Sequence, residues 1–294
     1  MNNTNIVILA GGISSRMKKA AGMLSDVDTI LQQEAQRKSK AMLGIGDQSR
    51  PFLDYLLYNI QAAGYHDVVI VTGEHDPSIR EYYDVRNGAR QFNQLSISYA
   101  VQKIPTGCCK PLGTADALLE ALIVRPSWKG LSFTVCNSDN LYSINTLRVL
   151  AESKFDNAMI DYDRLALRFS EERIAAFAVI KKDDEGFLID IIEKPSADEI
   201  ERAKDTDGRI GVSMNIFKLS YDAIVPILKI IPIHPLRHEK ELPLAVRIMA
   251  ERHPRCMITI PWSEHVIDLT VQSDIPEVQQ YLKTHFPDFL LGSL

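Results

Sequence analysis

No apolar run in the sequence approaches the roughly 18 residues that a helical membrane span needs, and the opening MNNTNIVILAGG has no charged stretch followed by a long apolar one. The expectation is a cytoplasmic protein with no membrane partner. Cysteine is scarce: four in 294 residues make no disulfide framework, and the adjacent Cys108-Cys109 pair lacks metal-ligand spacing, which points to reduced thiols. Positive charge is not in excess either. A formal net charge of -5 gives no dominant basic field, which argues against nucleic acid as the main partner and leaves room for a local basic pocket. With no internal repeat and no low-complexity linker, one domain over 1–294 is favoured over two. What the chain does have, 46% hydrophobic against 24% charged residues, is enough to bury a substantial core.

Ile6-Val7-Ile8-Leu9-Ala10 is a short β-branched run ended by Gly11-Gly12, the pattern of a buried strand entering a glycine turn. Phe52, Leu53, Leu56, Leu57, Ile60 and Ala63 recur at helical spacing before Gly64, and Val68 opens a second buried strand. The alternation continues with a strand over 95–101, a helix over 114–124, a strand over 131–136 and a helix near 145–153. Repeated βα units predict an α/β fold, a Rossmann-like and mostly parallel central sheet flanked by helices on both faces. From Asn157 the pattern changes to strand-like runs at 158–162, 174–180 and 187–192, which predict antiparallel additions in the second half. A charged helix near 197–204, a strand over 210–217, helices around Ile224 and Leu244, strands near Met257 and Val266 and a closing helix over 275–284 complete the reading. Residues 18–37 are polar, lack a strong apolar stripe and read as an exposed, partly helical insertion.

The segment Leu9-Ala10-Gly11-Gly12-Ile13-Ser14-Ser15-Arg16-Met17 combines two glycines, two hydroxyls and an arginine after a strand. Glycines let backbone N–H groups approach phosphate oxygens, serines add donors, and a guanidinium clamps a polyphosphate, so phosphate binding is expected. The spacing is neither that of a Walker loop nor GxGxxG. Asp139 stands just beyond a buried strand, where open α/β sheets collect ligand-binding groups, and its carboxylate suits magnesium. His234 and His238 lack a third nearby ligand for zinc, and no Ser-His-Asp or Cys-His arrangement is evident.

LAGGISSRM, followed after a long gap by Lys40-Ala41-Met42-Leu43, resembles the signature of the sugar-1-phosphate nucleotidyltransferases, and further matches follow in order over nearly the whole chain. The resemblance implies a GT-A-like fold that transfers a nucleotidyl group from a nucleoside triphosphate to a sugar-1-phosphate and releases pyrophosphate. It assigns Leu9, Ala10, Gly11, Gly12, Ser14 and Ser15 to the nucleotide and makes Arg16 and Lys40 catalytic. Lys40 is chosen over Lys38 because it directly precedes Ala-Met-Leu. Tyr99-Ala100-Val101-Gln102 and Leu112-Gly113-Thr114-Ala115-Asp116-Ala117-Leu118 resemble the base-binding segment, and a glutamine amide suits the edge of uracil or thymine, so UTP or dTTP is favoured. Ile191-Ile192-Glu193-Lys194-Pro195 resembles the sugar-phosphate segment, with Lys194 catalytic and Glu193, Ser213 and Asn215 on the sugar side. Asp268 resembles a second metal-binding aspartate beside Asp139, with Mg2+ as the cofactor. The expected division places nucleotide binding mainly in 1–150 and sugar-phosphate binding mainly in 151–294, and a homo-oligomer is compatible with the sequence.

The chain departs from the family pattern at Ser138, where a glycine is usual, and at Ser213 and Asn215. Other readings of the same loop are transfer to a non-sugar phosphorylated acceptor, a glycosyltransferase consuming a nucleotide sugar, and a nucleotide-binding subunit without turnover.

Overall fold

The computed structural model describes residues 4–14, 17–18, 29–85, 92 and 94–287. At its centre runs β1 (Asn5–Leu9), all five residues buried. Its side chains alternate as pleating requires: Ile6 and Ile8 enter one apolar layer, Val7 and Leu9 the other. Burial on both faces explains why this strand is continuously hydrophobic instead of alternating. Each such side chain taken wholly out of water contributes about 1.5–3 kcal/mol. Strands β2 (Asp67–Gly73) and β4 (Ser132–Asn137) flank β1 in parallel, and β3 (Ser96–Gln102) lies parallel outside β2.

Helices Phe52–Ala62, Ile144–Glu152 and Ile275–His285 contribute to the layer of Ile6 and Ile8; helices Thr114–Ile123, Tyr221–Ile230 and Leu242–Arg252 cover the opposite face. Beyond β4 the sheet turns antiparallel through β10 (Ile216–Ser220), β6 (Ala158–Asp163), β9 (Gly211–Val212), β7 (Val179–Lys182) and β8 (Leu188–Ile192). Strand β11 (Ile258–Trp262) pairs parallel with β6. The architecture is thus the expected mixed sheet, parallel in its first half and antiparallel in its second. A separate two-stranded ribbon joins β5 (Asn140–Leu141) to β12 (Ile267–Asp268). Among the described residues, no helix is long and apolar enough to cross a membrane.

Three expectations differ in detail. The run 174–180 is not one strand: Ser170 Oγ accepts from the Arg173 N–H at 3.4 Å and starts a short helix, Glu171–Ala175, so extended structure begins only at Val179. Glu171 and Glu172 in the first turn complement the helix dipole, a local preference that outweighs the apolar composition of the run. The strand expected over 210–217 is split into β9 and β10, because Asn215 adopts φ +55 between them and turns the chain. Finally, the expected exposed insertion ends in a helix, Thr29–Arg37, that buries Leu31 and Ala35 in the core, with the Glu34 carboxylate accepting from the Gly44 N–H at 3.0 Å; residues 19–28 lie outside the described ones.

Two buried polar contacts hold the loops that follow the strands. Tyr142, fully buried, donates to the Met214 carbonyl at 2.7 Å, while its own carbonyl accepts from Asn59 Nδ2 at 2.8 Å. Replacing Tyr142 by Phe leaves that Met214 carbonyl without its donor and is expected to cost about 1–3 kcal/mol in urea unfolding with an unchanged m value. His265, just before β12, accepts the Arg168 N–H on Nδ1 at 3.1 Å. Burial first, then the Arg168 and Arg173 charges, push its pKa down to about 4. The unfolded chain takes up this proton near pH 6.5 and the folded chain does not, so stability is full above that pH and declines as pH falls towards 4, by up to about 3 kcal/mol. Unfolding curves across this window should show the decline, and His265→Gln should flatten it.

Candidate active site

The chain runs from β1 outward to β2 and β3, then returns to place β4 on the other side of β1. The β1/β4 boundary is therefore a topological switch point, and the loops leaving the carboxyl ends of both strands part there to form a crevice. The Ser138 N–H donates to the Leu9 carbonyl at 3.2 Å and sets the two loops side by side. Between them lies a cleft of 310 Å³. Leu9, Ala10, Gly11, Gly12 and Ser14 line one wall, and Gln102, Gly113 and Thr114 another. Arg16 and Ser15 lie outside the described residues. Gly11 has a steric reason: a Cβ there would stand 3.2 Å from Gln102 Oε1 and 3.5 Å from the Gly73 nitrogen. Backbone from two strands meets without side chains between, which leaves N–H groups free to face an anion.

Lys40 opens a one-turn helix, Lys40–Met42, and its N–H donates to Ser14 Oγ at 3.3 Å. The glycine turn and the lysine are thus tied directly. The Lys40 ammonium reaches into the cleft and pairs with Asp139 Oδ2, both side chains mostly covered. Lys38, its neighbour in sequence, pairs instead with Glu34 one helical turn earlier. On the other side of the glycine turn a 140 Å³ lobe is lined by Lys18, Arg37 and Lys38 together with Glu74 and Asp76.

Asp139 and Asp268 are brought together by the β5–β12 ribbon: Asp268 stands opposite Asn140, and the Leu269 N–H donates to the Asp139 carbonyl at 2.8 Å. Burial raises the Asp268 pKa, and the Asp139 carboxylate raises it further; Thr270 and Arg173 oppose the shift. Thr270 Oγ1 donates to Asp268 Oδ1 at 2.6 Å, and Arg173 binds Oδ2 at 2.7 Å. Arg173 also bonds Asp274 at 2.7 Å, whose other oxygen accepts from the Thr270 and Val271 N–H groups. Two hard carboxylates that repel each other fit a divalent cation whose remaining ligands come from a substrate. Among the described residues no group of three or more such side chains forms a complete protein cage.

The second wall is held by chain from the far half of the sequence. Gly113 adopts φ +98, and a Cβ there would lie 2.8 Å from the Lys240 carbonyl, so both conformation and space demand glycine. The Ala115 N–H donates to that carbonyl at 2.9 Å, and the Leu242 N–H donates to Thr114 Oγ1 at 2.9 Å. Lys110 and Glu239, both lining the cleft, pair across the same seam. Arg173, Lys110 and Glu239 escaped sequence reasoning because no local motif marks them.

Glu193 lines a different cleft of 410 Å³ with His234, Arg237, Glu241 and Arg247. Although exposed by area, its carboxyl is raised in pKa by partial desolvation and by Glu241, with Arg237 and Lys194 opposing. Lys194 is exposed at φ +49, Ser213 is buried, and Asn215 holds the turn at φ +55.

Residues 35–241 match the model of the family described as nucleotidyl transferase. The bifunctional protein GlmU of Geotalea uraniireducens (strain Rf4) is 26% identical over 203 residues, 69% of this chain and 36% of the relative. Glucose-1-phosphate adenylyltransferase of Corynebacterium efficiens is 24% identical over 228 residues, 77% of this chain and 51% of the relative. The chain thus spans about a third to a half of the length of these curated relatives. In fold, it is similar to a UDP-glucose pyrophosphorylase solved in complex with UDP-glucose, with a TM-score of 0.68 at 19% identity over 96% of this chain and 100% of the other. The glycine turn, the lysine and the paired aspartates therefore stand in a chain that belongs to the nucleotidyl transferase family.

Proposed function

We propose that the protein transfers the nucleotidyl group of a nucleoside triphosphate, UTP or dTTP by preference, to a sugar-1-phosphate with release of pyrophosphate. The observation that carries this reading is the meeting of a glycine turn, Lys40 and Asp139 in one cleft at the carboxyl ends of β1 and β4. A relative whose name states adenylyl transfer to glucose-1-phosphate supports the sugar acceptor.

In this mechanism a phosphate oxygen of the acceptor attacks the α-phosphorus in line, and pyrophosphate leaves on the opposite side without a covalent enzyme intermediate. The N–H groups of the glycine turn and Arg16 hold the triphosphate, and Lys40 exchanges Asp139 for the α-phosphate, where negative charge builds in the transition state. Glu193 and Lys194, which do not line this cleft, are assigned to the acceptor, and Ser213 and Asn215 to its sugar, by the family resemblance alone. Asp139 and Asp268 would hold Mg2+, which when bound neutralises charge on the triphosphate. Residues 1–150 then serve mainly the nucleotide and 151–294 mainly the sugar phosphate. Four free cysteines accord with a cytoplasmic setting.

The test is pyrophosphate release by purified protein with Mg2+, each nucleoside triphosphate being combined with a panel of sugar-1-phosphates. Release that needs both substrates and stops on chelation of the metal is the expected result. Lys40→Ala should lower turnover by about 10²–10³. Silence from folded, nucleotide-binding protein would transfer the reading to a non-sugar phosphorylated acceptor or to a binding subunit.

A further inference from the structure

Gln102 ends β3 in the wall of the 310 Å³ cleft and is only 3% exposed. Its amide nitrogen is engaged twice: Nε2 donates to the Gly113 carbonyl at 2.8 Å and to the Asp116 carboxylate at 3.0 Å. An amide nitrogen carries two protons, and both are used. Two acceptors, one of them anionic, also fix which end of the amide points where, because turning it over would set Oε1 against a carbonyl and a carboxylate. The remaining end, Oε1, faces Gly11, 3.2 Å from where a Cβ on that glycine would stand, and among the described residues no donor reaches it.

We infer that Asp116 is a specificity-determining positioning residue that makes Gln102 an acceptor-only reader of the nucleotide base. This rests on the proposal that the cleft takes a nucleoside triphosphate. An acceptor-only amide pairs with a ring N–H, the N3–H of uracil or thymine, and meets the N3 lone pair of cytosine as a second acceptor. Discrimination between these pyrimidines then depends on a carboxylate that does not touch the base. Without Asp116, one Nε2 proton is released and only the Gly113 carbonyl still opposes turning the amide over to offer a donor to cytosine. The helix Thr114–Ile123 supports this arrangement: Asp116 lies in its first turn, where a carboxylate is favoured, and Ala115, Leu118 and Leu122 lock the helix into the core.

The experiment measures binding and not turnover, so that it decides independently of the proposed reaction. Calorimetric titration of the full chain with UTP, CTP and UTP methylated at N3 is compared for the wild type, Asp116→Ala and Asp116→Asn, with thermal unfolding as the check on folding. The wild type should favour UTP over both CTP and the N3-methyl analogue by about tenfold or more, since a buried hydrogen-bonding group left unpaired rejects a near-isostere. Asp116→Ala should bring the UTP to CTP ratio towards one, and Asp116→Asn, which keeps an acceptor oxygen, should restore most of it. An unchanged ratio in Asp116→Ala overturns the inference. Equal affinity of the wild type for UTP and its N3-methyl analogue overturns it as well, and this arm decides should the alanine variant not fold. Binding with the expected selectivity but no pyrophosphate release in the companion assay would remove the proposed reaction and leave the reader standing.

Discussion

All five residues of β1 are buried, its side chains divided between two apolar layers and both its edges hydrogen-bonded to parallel neighbours. A strand held this way has no freedom to slide or tilt, because a one-residue slip would exchange every side chain between layers that are already filled. The position where β1 ends is therefore fixed to within the tolerance of core packing. Gly11 to Ser14 begin at that point, and so does the crevice between the loops of β1 and β4. The site inherits its precision from the core; the loops contribute chemistry.

Among the described residues, the carboxylates lining the cleft and the aspartate on the ribbon beside it all have partners. Asp139 has Lys40, and Asp268 has Arg173 and Thr270. The two acids still disturb each other, as the raised Asp268 pKa records. Burial is the main cause that disfavours the charged form, a neighbouring carboxylate disfavours it further, and Thr270 and Arg173 offset only part of this. Such a pair stores a preference for an incoming cation. Lys40, on a side chain with four rotatable carbons, is the partner free to move aside, whereas Arg173 is also committed to Asp274 and has little freedom to leave.

How much of this could be read in the sequence depended on whether the cause was local. The parallel half was legible because Ile6 to Ala10 and Val68 to Val71 are apolar runs that only a doubly covered strand needs, and because Phe52 to Ala63 carries a clean helical period. The run from Ile174 misled because its composition suits a strand equally well; a serine cap and two glutamates settle the matter in favour of a helix over its first residues. The strand over 210–217 was read whole because Asn215 looks like an ordinary polar residue, although it is one that tolerates positive φ. The glycine turn, Lys40 and the aspartates stood out as candidates for one cleft by their motifs. Arg173, Asp116, Lys110 and Glu239 act on partners that lie up to 129 residues away in the chain, as Lys110 and Glu239 do, and no spacing rule reports such pairs.

The seam between Gly113 and Lys240 shows where the two halves of the chain become one site. The Lys110–Glu239 ion pair is the conspicuous contact there, but with side chains 38% and 33% exposed it falls among pairs that contribute less than about 1 kcal/mol. What holds the seam is backbone: the Ala115 N–H on the Lys240 carbonyl, the Leu242 N–H on Thr114 Oγ1, and a glycine whose missing Cβ lets the two chains approach this closely. Since Gly113 also accepts from Gln102, the residue proposed to read the base is supported on one side by a turn that residues 240–242 hold in shape. Residues 1–150 do not complete the cleft on their own, since Glu239 and Thr270 also line it. The proposed division of tasks at residue 150 is therefore crossed by the hydrogen bonds that build this wall of the cleft.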